Sequence, residues 1–294
     1  MFDRISSSWA LLKASASVLR ADKQLIVFPI ISAIASLLVS AAFFVPFALY
    51  IYTHHLFNIS EQASRNGNEI ERQLHSPLGY LAIFTFYVIQ YTIVFFANTA
   101  LVGAALIRLR GGRPTVGAGF ALAASRMSAI LGYALIASTV GMVIRAISER
   151  TGMLGRAGMG LFGLAWNVAT YLVAPVLIAE NVGPVEAIKR SANLLKRTWG
   201  EQIIGNAGLG TAFGLLALLV IALFVPLFIG AISMESAPLI ITLVVLFVLT
   251  FTALLLIQAA LTGIYTAAIY LYASENVGGG PFAPEMIQSA FRTK

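Results

Sequence analysis

The chain contains no cysteine, which removes disulfide frameworks, thiolate catalysis and cysteine metal sites. Charge is scarce as well: Asp, Glu, Lys and Arg make up 11% of 294 residues, less than half of the usual share of about 25%. Aspartate occurs only at positions 3 and 22, and histidine only at 54, 55 and 75. The apolar stretches therefore hold almost none of the paired carboxylates, metal ligands or activated nucleophiles that chemistry on water needs. What fills the chain is apolar, with 59% hydrophobic residues and a mean hydropathy of +0.88. One water-solvated core cannot hide that much apolar surface, so lipid has to solvate a large part of it. The net charge of +7 comes from bases that flank apolar runs, which points to membrane orientation and not to nucleic acid.

A hydrocarbon layer about 30 Å thick takes roughly 20 helical residues to cross. Six runs reach that length, at about 26–52, 78–107, 127–147, 158–179, 203–232 and 239–272. Stretches such as 215–229 and 239–251 are almost continuously apolar and show no period of two, so a β-barrel is excluded in favour of helices. The fold class is an all-α polytopic membrane helical bundle of six transmembrane helices, with tilts or kinks expected at Pro29, Pro46, Pro175 and Pro226. The first run starts too far into the chain, and is too long, for a cleaved signal peptide, and is read as an anchor. Of the nineteen Lys and Arg, fourteen fall before span one, between spans two and three, between spans four and five, or in the tail. Arg65, Arg72, Arg145, Arg150 and Arg156 lie on the other side. This asymmetry predicts a cell (inner) membrane protein with both termini cytoplasmic.

Each pair of spans is preceded by a stretch with apolar residues at intervals of three and four, the spacing that lines one helix face. These are Ile5, Trp9, Leu12, Ala16 and Leu19; then Val116, Phe120, Ala123, Met127 and Ile130, which merges into span three; then Val185, Ile188, Ala192, Leu195 and Trp199. Gly183 and Pro184 mark the start of the third. Leu194 points away from its apolar stripe, which suggests that protein covers the other side. The pattern reads as one membrane domain, 1–294, built of three units at 1–107, 108–180 and 181–294, each an interfacial helix plus a hairpin. In the third unit Lys189, Arg190, Lys196 and Arg197, with Trp199 at the edge, suit the anionic headgroup layer.

The segments SWALLKASASVLRADKQLIVFPIIS, NTALVGAALIRLRGGRPTVGAGFALAASR and APVLIAENVGPVEAIKRSANLLKRTWGEQIIGN resemble a domain-of-unknown-function family of bacterial and archaeal six-span integral membrane proteins. More distantly, AIKRSANLL before a hairpin looks like the membrane domain attached to some glycerophosphodiester phosphodiesterases and like Yip-type proteins. The resemblance implies a fold and a membrane location, and brings no catalytic residues.

Several local features compete for a function. Gly158, Gly160 and Gly163 fit GxGxxG, but no strand precedes them, so they read as small residues for helix packing, as do Gly205, Gly208, Gly210 and Gly214. His54, His55 and His75 with Glu61, Glu69 or Glu71 form no recognised ligand spacing, and neither a metal nor a cofactor is implied. Polar residues at membrane depth are more informative: Gln90, Asn98, Asn167, Asn206 and Gln258, with Glu180 and Arg145 near span ends. They line a polar path or form interhelical hydrogen bonds. Glu149 is the expected partner of Arg145, and Glu180 pairs with the Lys189/Arg190 helix if that helix folds back. The leading expectation is a non-enzymatic protein engaging anionic lipid headgroups, in membrane organisation, lipid handling or partner assembly. The alternative is a transporter or channel for a small solute or ion.

Overall fold

The computed structural model describes residues 2–56, 76–199, 208–275 and 280–282. Among them there is no strand. The helices are α1 (Phe2–Ala21), α2 (Val27–Leu56) after a 3-10 turn, α3 (Pro77–Leu109), α4 (Val116–Ala124), α5 (Met127–Arg150), α6 (Met153–Ala169), α7 (Val173–Glu180), α8 (Pro184–Trp199), α9 (Gly208–Ser233) and α10 (Ala237–Glu275). Six candidate spans emerge, with α6 and α7 together forming the fourth. The chain is an all-α polytopic membrane bundle, and α1, α4 and α8 each precede a pair of spans.

Local chemistry explains the boundaries. Ser76 caps α3 through its hydroxyl, which accepts from the Gly79 N–H, and Pro77 occupies the first turn, where its missing N–H costs nothing. The far end of α3 is closed by Gly111 at φ +87, a left-handed position natural for glycine. Pro46 and Pro226 lie inside continuous helices, whereas span four is interrupted at residues 170–172. Pro175 is the cause: it has no N–H for the Tyr171 carbonyl and its ring crowds that group, so the helix restarts with Pro175 in its first turn. The second amphipathic stretch is also separate. It was expected to run into span three, but α4 ends at Ala124 and a turn at Ser125 and Arg126 precedes α5.

Helix lengths exceed the membrane. At 39 residues α10 is about 58 Å long, nearly twice a hydrocarbon core. Burial follows that mismatch, because the packed core is confined to one end. It contains most of Ala97–Leu109 of α3, Ala260–Leu271 of α10, Ala14 and Val18 of α1, Phe28, Ile130, Leu177 and Leu194. At the other end Leu37, Leu81, Leu219 and Leu249 are exposed, a surface that lipid must cover.

Ionic ties among the described residues hold the packed end. Arg108 meets Asp22 at 2.8 Å, Arg110 meets Glu275, and Arg190 meets Glu180. Helix α3 is the hub, packing against α2, α4, α5, α7 and α10.

Small residues permit the closest crossings, although not where the sequence suggested. A methyl group on Gly119 would stand 2.9 Å from the Ala100 carbonyl oxygen, and one on Gly263 would collide with the Leu101 side chain. By contrast Gly158, Gly160, Gly210 and Gly214 face open space and Gly163 only grazes Ile144, while Gly205 lies outside the described residues. Only Gly210 and Gly214 have the four-residue spacing, and no described residue packs closely on them or on Gly158, Gly160 and Gly163, so the close-packing expectation is corrected for those five, while what surrounds Gly208 lies outside the described residues.

Candidate functional site

The amphipathic helices set the site's frame. In α8 the buried residues are Ala187, Ser191, Leu194 and Leu195, a stripe rotated from the expected one: Val185 is exposed, and Ile188 and Ala192 are half-buried. Leu194 is covered by protein, in line with its odd position. The small residues matter because they let α8 approach the interruption in span four. The buried Ser191 hydroxyl accepts from the Leu172 N–H at 3.0 Å, satisfying a donor that the interruption released and that lipid could not satisfy. Helix α1 repeats this logic, with Ala14, Ser15 and Val18 buried and Leu12, Ala16 and Leu19 beside them. The side chains of Ile5 and Trp9 lie outside the described residues.

Beside α8 sits a polar node. The Arg190 Nε donates to both carboxylate oxygens of Glu180, at 3.1 and 2.9 Å, and the Tyr270 hydroxyl donates to Glu180 Oε1 at 3.2 Å. This joins the end of α7 to α8 and α10. Arg190 is thus taken by protein, while Lys189 and Lys196 point outward. The side chains of Arg197 and Trp199 lie outside the described residues. Arg20, Lys23 and Arg113 are also exposed, giving this end a basic rim. At the opposite end Arg145 pairs with Glu149 at 2.7 Å, as its spacing predicted, and also donates to the Tyr87 hydroxyl at 3.0 Å.

The polar residues of the spans separate into different roles. Gln90 donates to the Ser36 carbonyl at 3.0 Å and to Ser40 Oγ at 2.8 Å, which fastens α3 to α2. Asn167 is exposed on α6, away from the others. Asn206 and His75 lie outside the described residues, as do the side chains of His54 and His55.

Asn98 and Gln258 come together. They line a cavity of about 330 Å³ between α2, α3 and α10, joined by Ser32 and Thr262. Helical spacing builds its walls: Val94, Asn98 and Leu101 share one face of α3, and Leu255, Gln258 and Thr262 one face of α10. Gly263 sets the floor, since only a residue without a side chain lets Leu101 approach so closely. None of the lining residues is charged. Ser32 and Thr262 were missed in the sequence because isolated hydroxyls in apolar helices bond their own preceding turn, as Thr85, Thr92 and Thr266 do here. Thr262 lies one turn from Gln258, which was the available signal.

These features define a membrane-embedded helical protein with a basic rim and a lateral, largely apolar cleft that carries a few uncharged polar groups. Residues 77–280 match the family of unknown function DUF6159, and the chain belongs to that family. Residues 1–107 are similar to the plasma-membrane choline transporter family. No curated protein and no solved structure matches the chain.

Proposed function

We propose that the protein is a non-enzymatic inner-membrane protein that engages anionic lipid headgroups through its basic rim, in lipid handling or membrane organisation, with both termini cytoplasmic. The observation that carries this reading is the division of α8: one face is sealed against the bundle through Ala187, Ser191 and Leu194, while Lys189 and Lys196, two turns apart, stay exposed. Such a helix presents its cations to the headgroup layer at a fixed height. The concentration of cations at this end supports the cytoplasmic assignment. In this reading the three helix-plus-hairpin stretches act as units. A cation near an anionic surface contributes about 1 kcal/mol, so replacing two changes affinity by about 30-fold. The test is native mass spectrometry of the lipid that detergent-purified protein retains from an equimolar mixture of phosphatidylglycerol and phosphatidylcholine. The double substitution Lys189→Gln and Lys196→Gln should remove most of the preference for the anionic lipid, and an unchanged preference refutes the reading.

A second reading is favoured by the similarity of residues 1–107 to a choline transporter family, since α2 and α3 supply two walls of the cleft. In that case the cleft is part of a route for a small cation. Proteoliposome uptake of radiolabelled choline decides between the two: uptake that Asn98→Leu abolishes establishes transport, and its absence leaves lipid engagement.

A further inference from the structure

We infer that the cleft between α2, α3 and α10 binds the glycerol-ester region of a membrane lipid, with Asn98 and Gln258 donating to its ester carbonyls. This rests on the lipid reading above and adds a second, uncharged binding site to it.

Three observations converge. First, neither the Asn98 side chain, exposed on the cleft side, nor the half-buried Gln258 side chain hydrogen-bonds another described residue, whereas Gln90, two turns earlier on the same helix, makes two such bonds. An amide in an apolar setting without a partner is costly. Gln90 shows how this bundle handles an amide that serves packing alone.

Second, the depth is that of lipid esters. Asn98 follows Pro77, the first residue of α3, by 21 positions, and Gln258 follows Ala237, the first residue of α10, by the same 21. At 1.5 Å per residue both amides lie about 30 Å from the far ends of their helices, one hydrocarbon thickness. Ser32 lies in the second turn of α2, which runs the opposite way and begins at this end. The amides therefore lie where acyl chains give way to ester and headgroup layers, below the basic rim.

Third, the chemistry of the lining selects the ligand. With no charge in the cleft, an ion gains no counter-charge, and the largely apolar wall from Val94, Leu101 and Leu255 suits an acyl chain. Amide N–H groups complement carbonyl oxygens, which only accept. A volume of about 330 Å³, the space of roughly eleven water molecules at about 30 Å³ each, holds both ester groups and the start of one chain.

The experiment compares lipids that differ only in those carbonyls. Wild-type protein in detergent is exchanged against diester phosphatidylcholine and its diether analogue of equal chain length, and retained lipid is counted by native mass spectrometry. The diester is expected to be retained about tenfold better, with Asn98→Leu and Gln258→Leu each removing most of that difference and Gln90→Leu leaving it intact. Equal retention of diester and diether by the wild type overturns the inference without any variant. So does a diester preference that survives in monodisperse Asn98→Leu/Gln258→Leu protein. The Lys189→Gln/Lys196→Gln variant separates the two sites: it should lose its phosphatidylglycerol preference and keep the ester preference.

Discussion

Helix α4 offers a test of the packed end with its own control two residues away. Gly119 is buried against α3 and the Phe28 ring, and a methyl group there would stand 2.5 Å from Phe28 Cζ and 2.9 Å from the Ala100 carbonyl oxygen. Neither neighbour can yield. Phe28 is 1% exposed, with its ring against Phe120 at 5.0 Å between centroids, and Ala100 is completely buried within α3. Overpacking of this kind costs about 1–3 kcal/mol, offset in part by up to about 1 kcal/mol of better helix propensity. Gly119→Ala should therefore destabilise by about 1 kcal/mol. Gly117, in the same helix, has nothing within 4 Å of the equivalent position, so Gly117→Ala should gain up to about 1 kcal/mol. For a chain of this size 1 kcal/mol corresponds to about 2–4 °C, which places the two melting temperatures about 4–8 °C apart. Thermal unfolding in detergent, followed by tryptophan fluorescence and size-exclusion chromatography, measures the gap. Variants that melt together would refute the docking of α4 on α3.

The other consequences concern α8. Ser191→Ala leaves the Leu172 N–H without an acceptor, which should cost about 1–3 kcal/mol and accelerate amide hydrogen exchange at Leu172, while Asn193→Ala on the exposed side stays within about 0.5 kcal/mol. Glu180→Gln keeps an acceptor for Tyr270 and loses the ion pair. Because the Arg190 side chain is 40% exposed, solvent screening limits the coupling measured in a Glu180→Gln/Arg190→Gln cycle to about 1 kcal/mol, shrinking in high salt; a coupling of zero would show that the pair does not hold α8.

The spans were legible because a bilayer demands long apolar runs, a constraint strong enough to survive without any partner information. The pairs Arg145–Glu149 and Glu180–Arg190 were legible for a related reason: a charge near a span end needs a counter-charge within reach, and each had one close in sequence. The faces of α1 and α8 were harder. A hydropathy stripe weights Val185, Ile188 and Leu195, whereas docking on α7 uses Ala187 and Ser191, whose value lies in being small and, for Ser191, in its hydroxyl. The interruption of span four was half-legible, since Pro175 marked the region while the unwound residues, Thr170 to Leu172, precede it. Asn98 and Gln258 were legible as polar residues at membrane depth, but their meeting was not, because the chain between positions 98 and 258 fixes no distance between them.

The placement of the core follows from the solvent each part of the chain meets. Where helices run through hydrocarbon, apolar side chains gain nothing from one another that lipid does not provide, so α2, α9 and the first half of α10 remain exposed over most of their length. Beyond Asn98 on α3 and Gln258 on α10 the same kind of sequence enters a polar layer, where exposure is costly. There the chain buries nearly everything, using α1, α4, α7 and α8 as cover and glycines at 103, 119, 132 and 263 as the points of closest approach. The two amides stand at the change between these regimes. The covering helices pack on the rim side of them and exposed apolar helix faces continue on the other, so the cleft lies where protein packing ends. A substitution that fills the cleft from its exposed wall, such as Ala259→Phe, should raise the melting temperature in detergent and lower the lipid retained by the protein together, since one filling excludes the other.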